Sequence, residues 1–134
     1  IVLVAISASI NPNFISPNNL QNTGNLIGIY GIFSIGLGLV IITGGIDLSV
    51  GSLFALLGVM FSIWLTKTGL PPALAFFGVM FLAAGIGLTH GTLITKVKMQ
   101  PFIVTLCGLL LYRGLARYIA NDNTLGFGKA EGFE

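Results

Sequence analysis

Gly44-Gly45-Ile46-Asp47-Leu48-Ser49-Val50-Gly51-Ser52 sets one aspartate among three glycines, between two long apolar runs. An acidic side chain at a break between hydrophobic segments needs an exit to water or a polar partner. Gly44, Gly45 and Gly51 free the backbone, and Asp47 before Leu48 suits a helix N-cap, where the carboxylate accepts orphan backbone N–H groups. The stretch is therefore expected to break a helix. It also exposes polar backbone, which at membrane depth is tolerated only where protein or a water-filled cavity covers it.

The runs on either side decide the fold class. Of 134 residues, 54% are hydrophobic and 7% charged, against roughly 25% charged in soluble domains. Residues 26–43, 48–65, 73–95 and 102–120 are four apolar stretches near the ~20 residues that cross a bilayer as helix. The expected fold is all-α, a polytopic transmembrane helical bundle of about four complete spans. Residues 1–10 are too short to span and read as the end of a truncated first helix. With no initiating Met and no basic n-region, they do not read as a signal peptide. The whole of 1–134 then reads as the N-terminal part of one transmembrane domain in a longer subunit.

Residues 11–23, rich in Asn and Pro, are expected to form a loop, as are 67–72, just after Trp64, and 96–101. Residues 126–134 read as a polar, glycine-rich loop. Lys96 and Lys98 make 96–101 the most basic of these loops, and the positive-inside rule assigns it to the cytoplasm. Alternation puts 11–23, 67–72 and 121–134 outside and the Gly44–Ser52 turn toward the cytoplasmic side or within the membrane on that side. Six basic residues, scattered along the chain, are too few for a nucleic-acid surface. Cys107 is the single cysteine, so no intrachain disulfide forms and no metal site rests on cysteine.

Arg113 lies about 18 Å along a helix beginning near Pro101, at 1.5 Å per residue, a depth inside the bilayer. Arg117 follows one turn later on the same face and can snorkel. Both can serve as interfacial anchors of a tilted helix. Alternatively Arg113 faces the bundle, where Asp47, the one acidic residue before Asp122, is its candidate partner. Ala83, Gly87 and Gly91 form a smooth stripe suited to helix packing. His90 reads as a neutral imidazole bonded to a neighbouring side chain. A Ser/His intramembrane protease could draw on Ser34, Ser49, Ser52 or Ser62, but the G-x-S-x-G elbow is missing. A G-x-x-x-x-G-K-[ST] phosphate loop is missing too, so the chain is not itself a P-loop ATPase.

Thr43-Gly44-Gly45-Ile46-Asp47-Leu48-Ser49-Val50-Gly51-Ser52, then Gln100-Pro101-Phe102-Ile103-Val104-Thr105-Leu106, then Tyr112-Arg113-Gly114-Leu115-Ala116, resemble the permease subunits of bacterial ABC sugar importers, the ribose type most closely. The resemblance implies a multi-pass subunit of the bacterial inner membrane that dimerises with a second permease copy, as homodimer or paralogous heterodimer. It implies a cytoplasmic ATPase partner that binds the ATP and Mg, and a periplasmic or lipid-anchored sugar-binding protein. The subunit itself would carry no cofactor and perform no covalent chemistry. Its cargo would be a monosaccharide such as ribose. From polarity, Asp47, Ser49, Thr105 and Arg113 are the candidates for the substrate pathway or its gates. A stand-alone channel or scaffold bundle is the alternative.

Overall fold

The computed structural model describes residues 2–126. All regular structure among them is helical, and the chain divides into two compact units, Ile1–Gly44 and Gly45–Glu134.

In the first unit, helix α1 (Val2–Ile10) leads into a 3-10 helix at Pro12–Ile15 and then into α2 (Pro17–Ile42). The stretch expected as a loop over 11–23 is thus mostly helical, because its polar residues act as caps. The Asn11 side chain accepts the Asn13 N–H at 3.0 Å. Ser16 Oγ accepts the Asn19 N–H at 3.4 Å, and Pro17 occupies the first turn, where its missing N–H costs nothing. At 26 residues α2 is about 39 Å long, ample for the ~30 Å hydrocarbon core. None of its residues is buried. It ends at Thr43 and Gly44, whose φ of +76° is a left-handed conformation that glycine adopts without steric cost.

The second unit holds α3 (Val50–Thr66), α4 (Pro72–Thr95) and α5 (Pro101–Ala120). Proline again opens α4 and α5. The connections close tightly. Leu70 N–H reaches the Trp64 carbonyl at 3.0 Å and Met99 N–H the Leu93 carbonyl at 3.1 Å, with Gly69 and Lys98 left-handed at the bends. Helices α2, α4 and α5 are long and apolar enough to cross a membrane by length and composition. The span expected at 48–65 is shorter as built. Its 17 helical residues rise about 26 Å, short of the ~30 Å hydrocarbon core.

Helices α3 and α5 run parallel with α4 returning between their ends. Ile46 meets Thr105, Ala55 lies across a cavity from Arg113, and Val59 lies across another from Ala116. The packed centre is Leu56 of α3 against Tyr112 and Ala116 of α5, with Leu53, Val59 and Met60 around it. Helix α4 joins at two glycine contacts. A methyl added at Gly78 would stand 2.6 Å from the Trp64 ring, and one at Gly108 would stand 2.8 Å from His90 Cε1 and 3.0 Å from Tyr112. Small residues allow such approach where lipid removes the usual hydrophobic drive. Of the expected stripe, Ala83 is half-buried while Gly87 and Gly91 are exposed, with nothing among the described residues within 4 Å of a methyl added at either glycine.

Candidate functional site along the α3–α5 seam

The break before α3, at the start of the second unit, is organised by Asp47, though not as the expected N-cap. Helix α3 starts at Val50 with Ser49 in the cap position, and Ser49 makes no capping bond of its own. Instead Asp47 Oδ1 accepts both the Ser49 N–H at 2.8 Å and the Ser49 hydroxyl at 2.7 Å. This Asx turn satisfies the Ser49 N–H outside the helix, and the helix begins at Val50. Ser49 is 1% exposed, and its carbonyl accepts from Ser52 Oγ at 2.8 Å and from Leu53 N–H at 2.8 Å. Asp47 is half-buried, and its second carboxylate oxygen has no hydrogen-bond partner among the described residues.

Thr105 reaches the same break from α5. It is 2% exposed, and its Oγ1 lies 2.8 Å from the Pro101 carbonyl and 3.2 Å from the Ile46 carbonyl. One hydroxyl proton serves either acceptor. The Ile46 carbonyl, in a stretch without helix or ladder, thereby gains a donor. The contact also fixes the level of the break, which lies one helical turn, about 6 Å, in from the start of α5. The break and the Lys96–Lys98 connection therefore share one end of this unit.

Arg113 lies deeper. Its side chain is exposed and lines a cavity of about 270 Å³ with Ser52, Ala55 and Leu109. The expected ion pair with Asp47 does not form; the ion pair among the described residues joins Arg117 Nε to Asp122 Oδ1 at 2.6 Å. Asp47 spends its carboxylate on Ser49, while Arg113 opens to the cavity. So Asp47, Ser49 and Thr105 come together at the break, and Arg113 stands apart from them.

Tyr112, which residue type and spacing did not single out, proves central. Its hydroxyl lies 2.7 Å from His90 Nε2, and the two rings stack at 5.6 Å. The polar neighbour expected for His90 is thus a tyrosine rather than a serine. The available signal was Gly108, one turn before Tyr112, which leaves room for an imidazole.

Long apolar helices α4 and α5 packed with the shorter α3 define a segment of a polytopic membrane bundle. The chain belongs to the family described as branched-chain amino acid transport system, permease component, which matches residues 19–133. It is 38% identical over 134 residues to the ribose import permease protein RbsC of Bacillus subtilis, covering 99% of this chain and 41% of that protein. It is 37% identical over 131 residues to RbsC of Escherichia coli K12, covering 98% of this chain and 40% of the relative. With the xylose transport system permease protein XylH of E. coli, identity is 36% over 112 residues, or 84% of this chain and 28% of that one. The chain thus spans about two fifths of the ribose permeases it matches. No solved structure matches it.

Proposed function

We propose that this chain forms part of the transmembrane permease of an ATP-driven ABC importer that moves a monosaccharide, ribose or a close relative, across the bacterial inner membrane. The observation that carries the reading is the identity of 38% with a ribose import permease along 99% of the chain, in company with a xylose permease. The subunit performs no covalent chemistry and holds no cofactor. A cytoplasmic ATPase pair binds ATP and Mg, a periplasmic or lipid-anchored binding protein delivers the sugar, and a second permease copy completes the pathway.

The polar residues take these parts in the proposed reading. The end shared by the break and the two lysines faces the cytoplasm, and the end after α5 faces outward. Asp47 and Ser49 hold the break open one turn inside the membrane, with one carboxylate oxygen left to accept a sugar hydroxyl. Arg113, facing its cavity, offers donors further along the same seam. Neutral sugars need such scattered hydrogen-bonding groups, because a buried path without them leaves hydroxyls unpaired.

The test is reconstitution of the full-length subunit with its ATPase and binding protein in proteoliposomes. ATP-dependent accumulation of ribose, xylose or another monosaccharide is expected. Conduction of solute without nucleotide would point instead to a channel, and absence of nucleotide-dependent uptake for every monosaccharide would overturn the reading.

A further inference from the structure

At the opposite end of the seam from the break, the chain leaving α5 folds back toward α3. Asn121 and Asp122 are both left-handed, with φ of 50° and 57°, a conformation uncommon outside glycine. The turn is held by Asp122 N–H on the Arg117 carbonyl at 3.0 Å, by Asn123 N–H on the Ala120 carbonyl at 3.0 Å, and by the Asn123 side-chain amide on the Asn121 carbonyl at 3.1 Å. Further on, the Gly126 carbonyl accepts from Ser62 Oγ of α3 at 2.6 Å. Ser62 is 2% exposed, so this bond ties the loop to the packed part of the unit. Between loop and helices lies a cavity of about 310 Å³, floored by Val59 and Ala116 and edged by Arg117, Asp122, Asn123 and Thr124.

We propose that this cavity is a monosaccharide subsite, one stage along the seam from Arg113. The inference rests on the sugar-import reading and adds a place to it. The size lies at the lower end of the roughly 300–1,000 Å³ typical of small-molecule pockets. The chemistry selects a neutral polyol. Arg117 and Asp122 already neutralise each other, so the site offers no net charge to draw an anion or a cation. Vicinal hydroxyls need only the second Asp122 oxygen, the Arg117 terminal nitrogens and the Asn123 amide oxygen. The apolar floor suits the C–H face of a sugar ring. Because backbone bonds and the Ser62 tie shape the loop, ordering it is not charged to each binding event. Arg117 and Arg113 stand one helical turn apart on one face of α5, so a sugar released from this cavity meets the Arg113 cavity next.

The experiment uses the full-length permease assembled with its ATPase and binding protein in proteoliposomes, with Cys107→Ser and Thr124→Cys introduced, and reads the rate of maleimide labelling. The transported monosaccharide is expected to slow labelling about threefold at twice its dissociation constant, by the 1 + [L]/Kd relation. Its phosphate ester is expected to give no protection. Adding Asp122→Ala, or Asn123→Ala should that variant fold poorly, removes the protection. Unchanged labelling in a complex that accumulates the sugar overturns the subsite and leaves the transport reading standing. Absence of nucleotide-dependent uptake of any monosaccharide overturns both.

Discussion

The hydroxyl of Tyr112 on α5 meets Nε2 of His90 on α4 at 2.7 Å, and Tyr112 is 7% exposed. This bond joins the return helix to the seam, beside the packing of Ile86 on the same cluster. Tyr112→Phe keeps the ring and its packing on Leu56 but strands the imidazole nitrogen, at a cost of about 1–3 kcal/mol. The expected outcome is a lowered melting temperature of the full-length subunit in detergent; an unchanged midpoint would mean that water replaces the hydroxyl.

Gly108 and Gly85 make a matched pair of tests. A methyl at Gly108 meets the imidazole at 2.8 Å, whereas Gly85 has nothing within 4 Å. Gly108→Ala is expected to cost about 1–3 kcal/mol through overpacking, and Gly85→Ala to stay within about 0.5 kcal/mol. Chemical denaturation of the two variants side by side reads the difference.

Asp47 is expected to act as an acceptor in the turn. Asp47→Asn keeps the oxygen that takes both Ser49 bonds, so it should unfold near the parent's midpoint. Asp47→Ala removes both bonds and should lose about 1–2 kcal/mol. Should the two variants fall equally, the negative charge and not the turn geometry is what the site requires.

Arg113 and Asp47 are expected to be energetically independent, since Asp47 is committed to Ser49 and Arg113 to its cavity. In a double-mutant cycle of Asp47→Asn and Arg113→Gln, the coupling should stay below about 0.5 kcal/mol. A coupling well above that, or rescue by exchanging the two charges, would show an ion pair formed in the assembled subunit.

Much of this architecture was legible in residue type. Apolar run length marked the helices, and Gly44 marked the point where α2 must stop, since its positive φ is what glycine alone adopts freely. Less legible were the helix starts. The Asn and Pro residues near Ser16 read as loop chemistry, yet the same groups cap helices, and only the backbone shows which role wins. Leu48 looked apolar enough to begin α3, but Asp47 draws the Ser49 N–H to itself and delays the helix to Val50. The seam was hidden for another reason: Thr105 on Ile46 and Tyr112 on His90 join residues 59 and 22 positions apart, and no local period reports such partners. Likewise the even spacing of Gly87 and Gly91 describes a smooth face without saying what lies on it, whereas Gly78 and Gly108, inconspicuous in pattern, admit a tryptophan and a histidine.

Trp64 is the single tryptophan of the chain, and its six-membered ring rests on the bare backbone of Gly78. A displacement of α4 along α3 by even one turn, about 5.4 Å, would bring Leu82 or Leu74 to that spot in place of glycine and lift the indole away. Within these 134 residues the indole thus serves as a built-in optical gauge, whose emission follows the spacing of two helices without any label.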